Sequence, residues 1–358
     1  MNRSSILLKI WKLGGYYAWF LRVVKDRAAL PLGKRIYYIV KGFLPVQCTL
    51  YDFDRWGIGS YISERKRMSR IGPINFEHSG VLGNKIVFSE LISKYIRVPK
   101  SYCRFYKNKV FELSNSGINS FEKLLALIKE AGDESLIIKP IDSHCGIGVH
   151  VVAYSACGAF LLDGNKLSER ELLGFMAGLN GYYVSEFVRQ GAFGRKIYPG
   201  TTNTIRILTM IDPETGKAFI AGALHRFGRD SSYPVDNTYR GGIFSLIDLE
   251  TGALGSSFLY GDGAYHRIDK HPDSGASLVG VIVPHWGKTA RTVLDTANLL
   301  SFLKYIGWDI VVSDSGEITV LEGNMNADLY SYQVERPLLK DERIRNFYGF
   351  HGAIKTKV

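Results

Sequence analysis

Two carboxylates and a carboxamide near the end of the chain have the residue types and the spacing of a magnesium site. Asp309 lies in an apolar segment, and Glu322 and Asn324 follow 13 and 15 residues later, beyond the turn at 314–316. In a hairpin of this length Asp309 and Glu322 can lie opposite each other, with Asn324 on the same face. Their oxygens suit Mg²⁺, which keeps coordination positions for water or phosphate. A surface ion cluster is the alternative interpretation.

A lysine followed by a glycine-containing loop is the second candidate for chemistry. Lys139 ends a short apolar segment, and the loop after it contains Ser143, Gly146 and Gly148. A lysine at the end of a strand can reach phosphate oxygens, and the loop can place its backbone N–H groups on them. The pattern is neither GxxxxGK[ST] nor GxGxxG, so the loop by itself could equally be a plain turn. The roles of His144 and Cys145 in this loop stay open.

Further polar residues follow in a fixed order along the chain. Backbone groups at 186–188 could meet an adenine edge, and two arginines lie on neighbouring candidate strands. Each of these residues alone could be core or solvated surface. The set comprises Lys85 at a helix start, Glu186, Phe187 and Val188, Arg206 and Arg226, and then Asn237, Arg240, Gly241 and Gly242.

Alternating helical and strand patterns must position these residues. No repeat, long linker or low-complexity run occurs after residue 45. Hairpins with interspersed helices indicate an α+β class with antiparallel sheets. The predicted helices are 84–95, 120–131, 168–179 and 288–305, and the predicted strands are 101–106, 135–139, 149–153, 182–188, 205–211, 218–225, 242–248, 308–313 and 317–322.

Composition and charge restrict the class of protein. The chain has 358 residues, of which 46% are hydrophobic and 22% charged, so a disordered or collagen-like chain is excluded and two or three packed units are expected. The formal charge is +11, but residues 1–45 carry +8 of it and the other 313 residues only +3. A general nucleic-acid-binding surface is therefore not expected.

The basic N-terminal segment has two interpretations. Its apolar run, 13–21, is too short to span a bilayer and is followed by charged residues, which do not resemble a signal-peptide cleavage site. Four cysteines without disulfide or CxxC spacing favour a reducing cytoplasm. The segment could lie on the anionic inner face of a membrane, or it could form a helix packed on the protein, weakened by Gly14 and Gly15.

The joint order of these motifs resembles the ATP-grasp fold. The segments Pro284-His285-Trp286, Ile306-Gly307-Trp308-Asp309 and Leu321-Glu322-Gly323-Asn324, with Asp236-Asn237 and Gly241-Gly242-Ile243, look most like the sugar-transfer associated ATP-grasp family, over roughly 40–335. The chain departs from many ligases after Asn324, where Met325-Asn326-Ala327 replaces the usual Thr-x-Pro-Gly. The resemblance implies two α+β lobes with antiparallel sheets that enclose ATP, preceded by a basic N-terminal helical segment. The implied division is 1–80, 81–190 and 191–345, with a tail at 346–358.

The resemblance also implies roles for the site residues. Lys85 and Lys139 would contact the α and β phosphates of ATP, loop 143–148 would cover the γ-phosphate, and the backbone of 186–188 would hold adenine. Arg206 and Arg226 would stabilise the transferring phosphoryl group, and Asp309, Glu322 and Asn324 would bind Mg²⁺. Substrate contacts would come from Asn237, Arg240, Gly241 and Gly242.

The implied reaction is amide formation through an acylphosphate. The family association suggests a sugar-acid carboxylate, such as a uronic acid, and an amine acceptor in surface polysaccharide biosynthesis. An amino-acid or peptide ligase without a sugar substrate, and an ATP-binding regulator without turnover, are the alternatives. The absence of HExxH, GxSxG and zinc-spaced Cys/His motifs argues against metalloproteases and serine hydrolases.

Overall fold

The computed structural model describes residues 3–143 and 146–355 of the chain. His144 and Cys145 lie outside the described residues, as do the last three residues of the expected tail. The strands are β1 Ser101–Tyr106, β2 Lys109–Glu112, β3 Leu136–Pro140, β4 His150–Tyr154, β5 Phe160–Leu162, β6 Asn165–Leu167, β7 Tyr182–Glu186, β8 Ile205–Ile211, β9 Ala218–Phe227, β10 Ile243–Ile247, β11 Leu254–Gly261, β12 Ala264–Ile268, β13 Tyr305–Val312 and β14 Ile318–Asn324.

Helices cover the faces of the strands and form the N-terminal region. They are α1 Arg3–Lys25, α2 Leu32–Lys41, α3 Phe53–Trp56, α4 Glu64–Lys66, α5 Ser79–Leu82, α6 Lys85–Ile92, α7 Phe121–Ala131, α8 Glu169–Ala177, α9 Ala192–Ile197, α10 Trp286–Leu299 and α11 Glu342–Phe350. A π-helical turn at Arg67–Ile71 follows α4. No helix among the described residues is both long and apolar enough to cross a membrane.

The first sheet forms one lobe, with strand order β2-β1-β7-β3-β4-β5-β6 and antiparallel pairing throughout. Helices α7 and α8 bury apolar side chains in the core of this lobe, including Leu124 and Leu172. Serine side chains cap both helices, Ser120 for α7 and Ser168 for α8, and each accepts a hydrogen bond from a backbone N–H of the first turn.

The second sheet forms the other lobe, with strand order β12-β11-β10-β9-β8-β13-β14, again antiparallel. Helices α10 and α11 pack into two separate apolar clusters, to which they contribute Val293 and Phe347 respectively. The register places Arg206 of β8 opposite Asp309 of β13, and Asp309 opposite Glu322 of β14. The two sheets confirm the predicted α+β class.

A β-bulge produces the pairing of Asp309 with Glu322. Ile310 pairs with Val320, so an uninterrupted register would place Asp309 opposite Leu321. The register shift between Asp309 and Ile310 moves the pairing by one residue. The predicted opposition of the two carboxylates is confirmed, and the bulge is the local feature that makes it possible.

The element boundaries differ from the sequence prediction in one clear place. The helix expected over 288–305 begins at Trp286 and ends at Leu299. The prediction was wrong at its C-terminal end because Tyr305 belongs to β13, where it is fully buried and pairs with Met210. The domain boundaries remain a prediction. The boundary expected at residue 345 lies within α11, which runs from Glu342 to Phe350.

Helix α1 runs without a break through Gly14 and Gly15. Gly15 is buried, and a Cβ there would lie 2.3 Å from the carbonyl oxygen of Met68. The missing side chain therefore lets α1 approach the turn at Arg67–Ile71 closely. The helix is packed on the protein, as one of the two interpretations of the segment requires.

Candidate functional site

One cavity of about 460 Å³ is lined by residues of both lobes and gathers most of the predicted site. Gly148, Arg240, Gly241 and Gly242 are the predicted residues that do not line it. Those that do are Lys85, Lys139, Ser143, Gly146, Glu186, Phe187, Val188, Arg206, Arg226, Asn237, Asp309, Glu322 and Asn324.

Asp309 is the buried anchor of two arginines. Arg206 donates to both carboxylate oxygens, with Nη2 2.8 Å from Oδ2, and Nη2 of Arg226 lies 3.0 Å from the same Oδ2. Burial by itself would raise the pKa of Asp309, but the charges of the two arginines outweigh it and hold the pKa well below its usual range. The carboxylate therefore stays ionised and fixes both guanidinium groups on the cavity wall.

Glu322 and Asn324 complete the acidic corner. The Asn324 side-chain nitrogen lies 3.3 Å from Oε1 of Glu322 and 3.5 Å from Oδ2 of Asp309. Glu322 is about a quarter exposed, whereas Asp309 is buried. Two carboxylates and an amide in contact form a hard donor set that fits Mg²⁺. Because the arginines hold Asp309, Glu322 and Asn324 offer the more accessible donors.

Arg226 is held by two further residues that the sequence prediction missed. Thr204 Oγ1 accepts from Nη2 and Nε of Arg226 at 2.6 and 3.0 Å, and Asp236 Oδ2 lies 3.5 Å from Nε. Asp236 also accepts from the Thr204 backbone N–H at 2.9 Å. The position of Asp236 beside Asn237 was a signal in the sequence, whereas Thr204 offered none.

The two predicted phosphate lysines lie on the same cavity. Asn84 caps α6, and Lys85 is the first residue of that helix. The Nζ atom of Lys85 donates to the Ser143 carbonyl and lies 3.6 Å from Oε2 of Glu322. Lys139 is half-buried, and its Nζ lies 5.3 Å from the centre of the Tyr183 ring. Burial lowers the pKa of Lys139, although Glu322 opposes this shift. Both ammonium groups thus face the acidic corner.

The glycine loop reaches across to the second lobe. Gly146 and Gly148 have φ angles of +67° and +73°, which favour glycine. A Cβ on Gly146 would lie 2.9 Å from the Val235 side chain, and one on Gly148 would lie 2.6 Å from the Tyr182 hydroxyl. The loop therefore depends on its glycines to lie this close to the cavity wall.

The segment expected to hold adenine has its first residue fixed by neighbours. The Glu186 carboxylate accepts from Arg97 and from the Lys100 N–H at 3.0 Å, and the Glu186 N–H donates to the Lys100 carbonyl at 2.8 Å. Phe187 and Val188 follow on the cavity wall. The Val188 carbonyl accepts from the Thr202 hydroxyl at 3.4 Å, so the expected adenine contact would fall to the other backbone groups of these two residues.

Asn237 and the glycine pair form a tight turn. The Asn237 carbonyl accepts from the N–H groups of Arg240 and Gly242, each at 3.0 Å, and Gly241 has a φ angle of +97°. A Cβ on Gly242 would lie 2.6 Å from the Asp236 carbonyl oxygen. Arg240, Gly241 and Gly242 thus shape the turn that presents Asn237 to the cavity.

Sequence reasoning missed a second polar cluster on the same cavity. Arg22 of α1 and Arg67 each pair with Glu64, at 2.8 and 2.6 Å, and Asp328 lies 3.7 and 3.5 Å from the two arginines. Arg67 also donates to the Asn326 side-chain Oδ1 at 2.6 Å and to the Asn326 carbonyl at 2.9 Å. Asn326 is part of the segment that departs from the usual ligase motif, so this departure anchors Arg67.

A family model described as sugar-transfer associated ATP-grasp matches residues 71–346, more than three quarters of the chain. The chain belongs to the sugar-transfer associated ATP-grasp family. This membership confirms the resemblance noted in the sequence and the ATP-grasp fold. A search of curated proteins found no match.

Solved structures with a similar fold are distant in sequence. The ATP-grasp ligase PsnB, complexed with a minimal precursor, is 14% identical, with a TM-score of 0.40 over 78% of this chain and 64% of that one. Biotin carboxylase from Campylobacter jejuni is 11% identical, with a TM-score of 0.43 over 78% and 48%. D-alanine–D-alanine ligase from Bacillus anthracis is 14% identical, with a TM-score of 0.39 over 76% and 70%. The chain thus spans about two thirds of the length of PsnB and about half of the length of the biotin carboxylase.

Proposed function

We propose that this ATP-grasp protein is a carboxylate-amine ligase that forms an amide through an acylphosphate and releases ADP and phosphate. The observation that carries the proposal is a single cavity in which Lys85 and Lys139 face the Asp309, Glu322 and Asn324 corner. Cations for phosphate and hard oxygens for a divalent ion are the two components that phosphoryl transfer requires.

The chain's own residues divide the work of holding ATP. Lys85 and Lys139 bind the α and β phosphates, Phe187 and Val188 border the adenine, and loop 143–148 lies over the γ-phosphate. Glu322 and Asn324, with Asp309 behind them, would hold Mg²⁺, which when bound offsets charge on the phosphates. The proximity of Lys85 to Glu322 aligns the phosphate and metal positions.

The two arginines act on the transferred group. A substrate carboxylate oxygen attacks the γ-phosphorus, the bond to the ADP oxygen breaks, and an acylphosphate forms. An amine then attacks the acyl carbon, phosphate leaves with the bonding electron pair, and the amine loses a proton. Arg206 and Arg226, held by Asp309, stabilise the negative charge that develops in both steps.

The family description supports a proposal for the substrate class. We infer that the carboxylate belongs to a sugar acid, such as a uronic acid, and that the acceptor is an amino compound in the synthesis of a surface polysaccharide. The sugar-transfer association of the family supports this assignment. A cytoplasmic location stays a prediction, with which the free thiols of Cys48, Cys103 and Cys157 are compatible.

Turnover with defined substrates tests the proposal. The pure protein is incubated with Mg-ATP, mixed uronic acids and mixed amino acids, and phosphate release is measured together with product masses. A uronic-acid amide is the expected product. An amide formed only between amino acids would indicate the peptide-ligase alternative, and ATP binding without turnover would indicate a regulator.

A variant of the acidic corner tests the metal assignment. Glu322→Gln should lower metal-dependent ADP formation by about 100-fold or more, because it removes a charged metal ligand without emptying core space. Glu317→Gln, on the same hairpin but outside this cavity, is the control and should remain active. Wild-type turnover in Glu322→Gln would contradict the assignment.

A further inference from the structure

A second cavity, of about 670 Å³, shares no lining residue with the ATP-grasp cavity and is strongly basic. Its described lining contains six cationic side chains and no carboxylate. Tyr16 of α1 completes one wall. The cations come from two distant parts of the chain and are Arg65, Lys66, Arg70, Lys340, Arg345 and Lys355.

Carboxylates of the described residues leave most of the cations of this basic cavity without an ion pair. Among the described residues, only Arg345 of the six has a carboxylate within 4 Å, Glu342 at 3.9 Å. Burial and the neighbouring charges of Arg70 and Arg65 lower the pKa of Lys66, which shows the repulsion within the group. Cations gathered without a counter-charge favour an anionic ligand.

An exposed apolar stripe runs along α1 beside this cavity. Its six side chains recur at helical spacing and are 43–67% exposed. They occupy the face opposite Gly15 and Arg22, which contact the protein. The stripe consists of Ile6, Ile10, Leu13, Tyr17, Phe20 and Val24.

Positive charge borders the stripe as well. Lys9, Lys12 and Lys25 are exposed on α1. Asp26, the sole acid between residues 6 and 41, is buried, and its carboxylate accepts from the N–H groups of Ala28 and Val46. Tyr16 precedes Tyr17 of the stripe and lines the basic cavity, so the apolar and basic surfaces adjoin.

We propose that α1 and the basic cavity form a docking site for an anionic phospholipid bilayer. The stripe enters the boundary between headgroups and acyl chains, and lipid phosphates enter the basic cavity. A second copy of this chain would bring a charge of +11 against the same cations, so charge complementarity favours lipid. The inner face of α1 carries Trp11 and Arg22 on the ATP-grasp cavity, so one helix separates that cavity from the bilayer.

Vesicle co-sedimentation of the full chain tests this site. Phosphatidylglycerol vesicles should pellet the protein at low salt, and phosphatidylcholine vesicles or 0.5 M NaCl should leave it in solution. Lys66→Gln/Arg70→Gln should weaken the partition coefficient by about 30-fold, and Leu13→Glu/Tyr17→Glu should reduce it at least about tenfold.

Matched controls lie outside α1 and the basic cavity. Ile282→Glu changes an exposed apolar residue of the second lobe, and Lys94→Gln/Lys109→Gln removes two exposed cations from outside the basic cavity. Both should partition like the wild type, and Mg-ATP affinity measured by calorimetry should be unchanged in every variant. That readout separates failure of the docking site from failure of the proposed reaction.

Several outcomes would overturn the proposal. Equal binding to neutral and anionic vesicles, or none to either, would exclude an anionic bilayer. Inorganic diphosphate that binds the basic cavity in calorimetry, without any vesicle binding, would assign the cavity to a soluble anion. A dimer in analytical ultracentrifugation that Leu13→Glu/Tyr17→Glu dissociates, again without vesicle binding, would assign the stripe to a second copy.

Discussion

At the scale of single residues, Asp309 is more than a metal-ligand candidate. Its buried carboxylate accepts hydrogen bonds from Arg206 and forms an ion pair with Arg226, so it also positions the cations that are proposed to stabilise the transferring group. Arg226 is held in turn by Thr204 and Asp236. A planar guanidinium can make these contacts together, whereas a lysine ammonium cannot.

Arg226→Lys should therefore reduce kcat by about 100-fold while Mg-ATP affinity stays close to that of the wild type. The substitution keeps the charge but loses the geometry that reaches both Thr204 and Asp309. Steady-state kinetics and calorimetry give the two quantities. Arg229→Lys, which changes an arginine paired with Asp273, is the control, and equal activity of the two variants would contradict the role of Arg226.

At the scale of elements, the contact of α1 with the turn at Arg67–Ile71 positions Arg22 and Arg67 on the ATP-grasp cavity. The contact depends on Gly15, where a Cβ would lie 2.3 Å from the Met68 carbonyl oxygen. Gly14, its neighbour, has open space where a Cβ would be. The two adjacent glycines thus have different physical roles.

Gly15→Ala should lower the free energy of unfolding by about 1–3 kcal/mol, because the added methyl group forces α1 away from Met68. Gly14→Ala should instead raise it by up to about 1 kcal/mol through helix propensity. Denaturant titration of both variants measures the difference. Equal effects of the two substitutions would show that α1 does not pack closely at Gly15.

At the scale of the whole molecule, buried histidines couple folding to pH. His225 on β9 is 4% exposed and stacks on Phe227 with ring centres 4.3 Å apart. Burial lowers the pKa of His225 to about 4. Below pH 6.5 the unfolded chain takes up a proton that the folded protein does not bind until about pH 4, so stability is lost as pH falls through this window.

The contribution of His225 should amount to about 3 kcal/mol between pH 6.5 and 4. His225→Phe, which suits its neighbours Phe193 and Phe227, should flatten that part of the curve of unfolding free energy against pH. His271 and His351 also have lowered pKa values, but they are present in both the wild type and the variant. The difference between the two stability curves therefore isolates the contribution of His225. Parallel curves would contradict the prediction.

Local signals in the sequence predicted most of the strands and the hairpin of the candidate metal site. Alternating apolar residues and the turn at 314–316 are short-range features, which is why β13 and β14 could be expected. The helix before β13 was predicted to end six residues too late, because Leu300, Phe302, Leu303 and Tyr305 form an apolar pattern that helix and strand share. The single-residue bulge beside Asp309 also left no signal in the sequence.

The sequence by itself determined the order of the chemistry-bearing residues. That order was sufficient to recognise the family, and most of the site residues that it predicted line the cavity. Only the tertiary structure decided that Arg22 and Arg67 reach the cavity and that six cations share a second one. These contacts join residues far apart in the chain, such as Arg67 and Asn326 at a separation of 259. Periodicity and spacing report on neighbours in sequence, whereas such contacts depend on how the α1 region and the two lobes pack together.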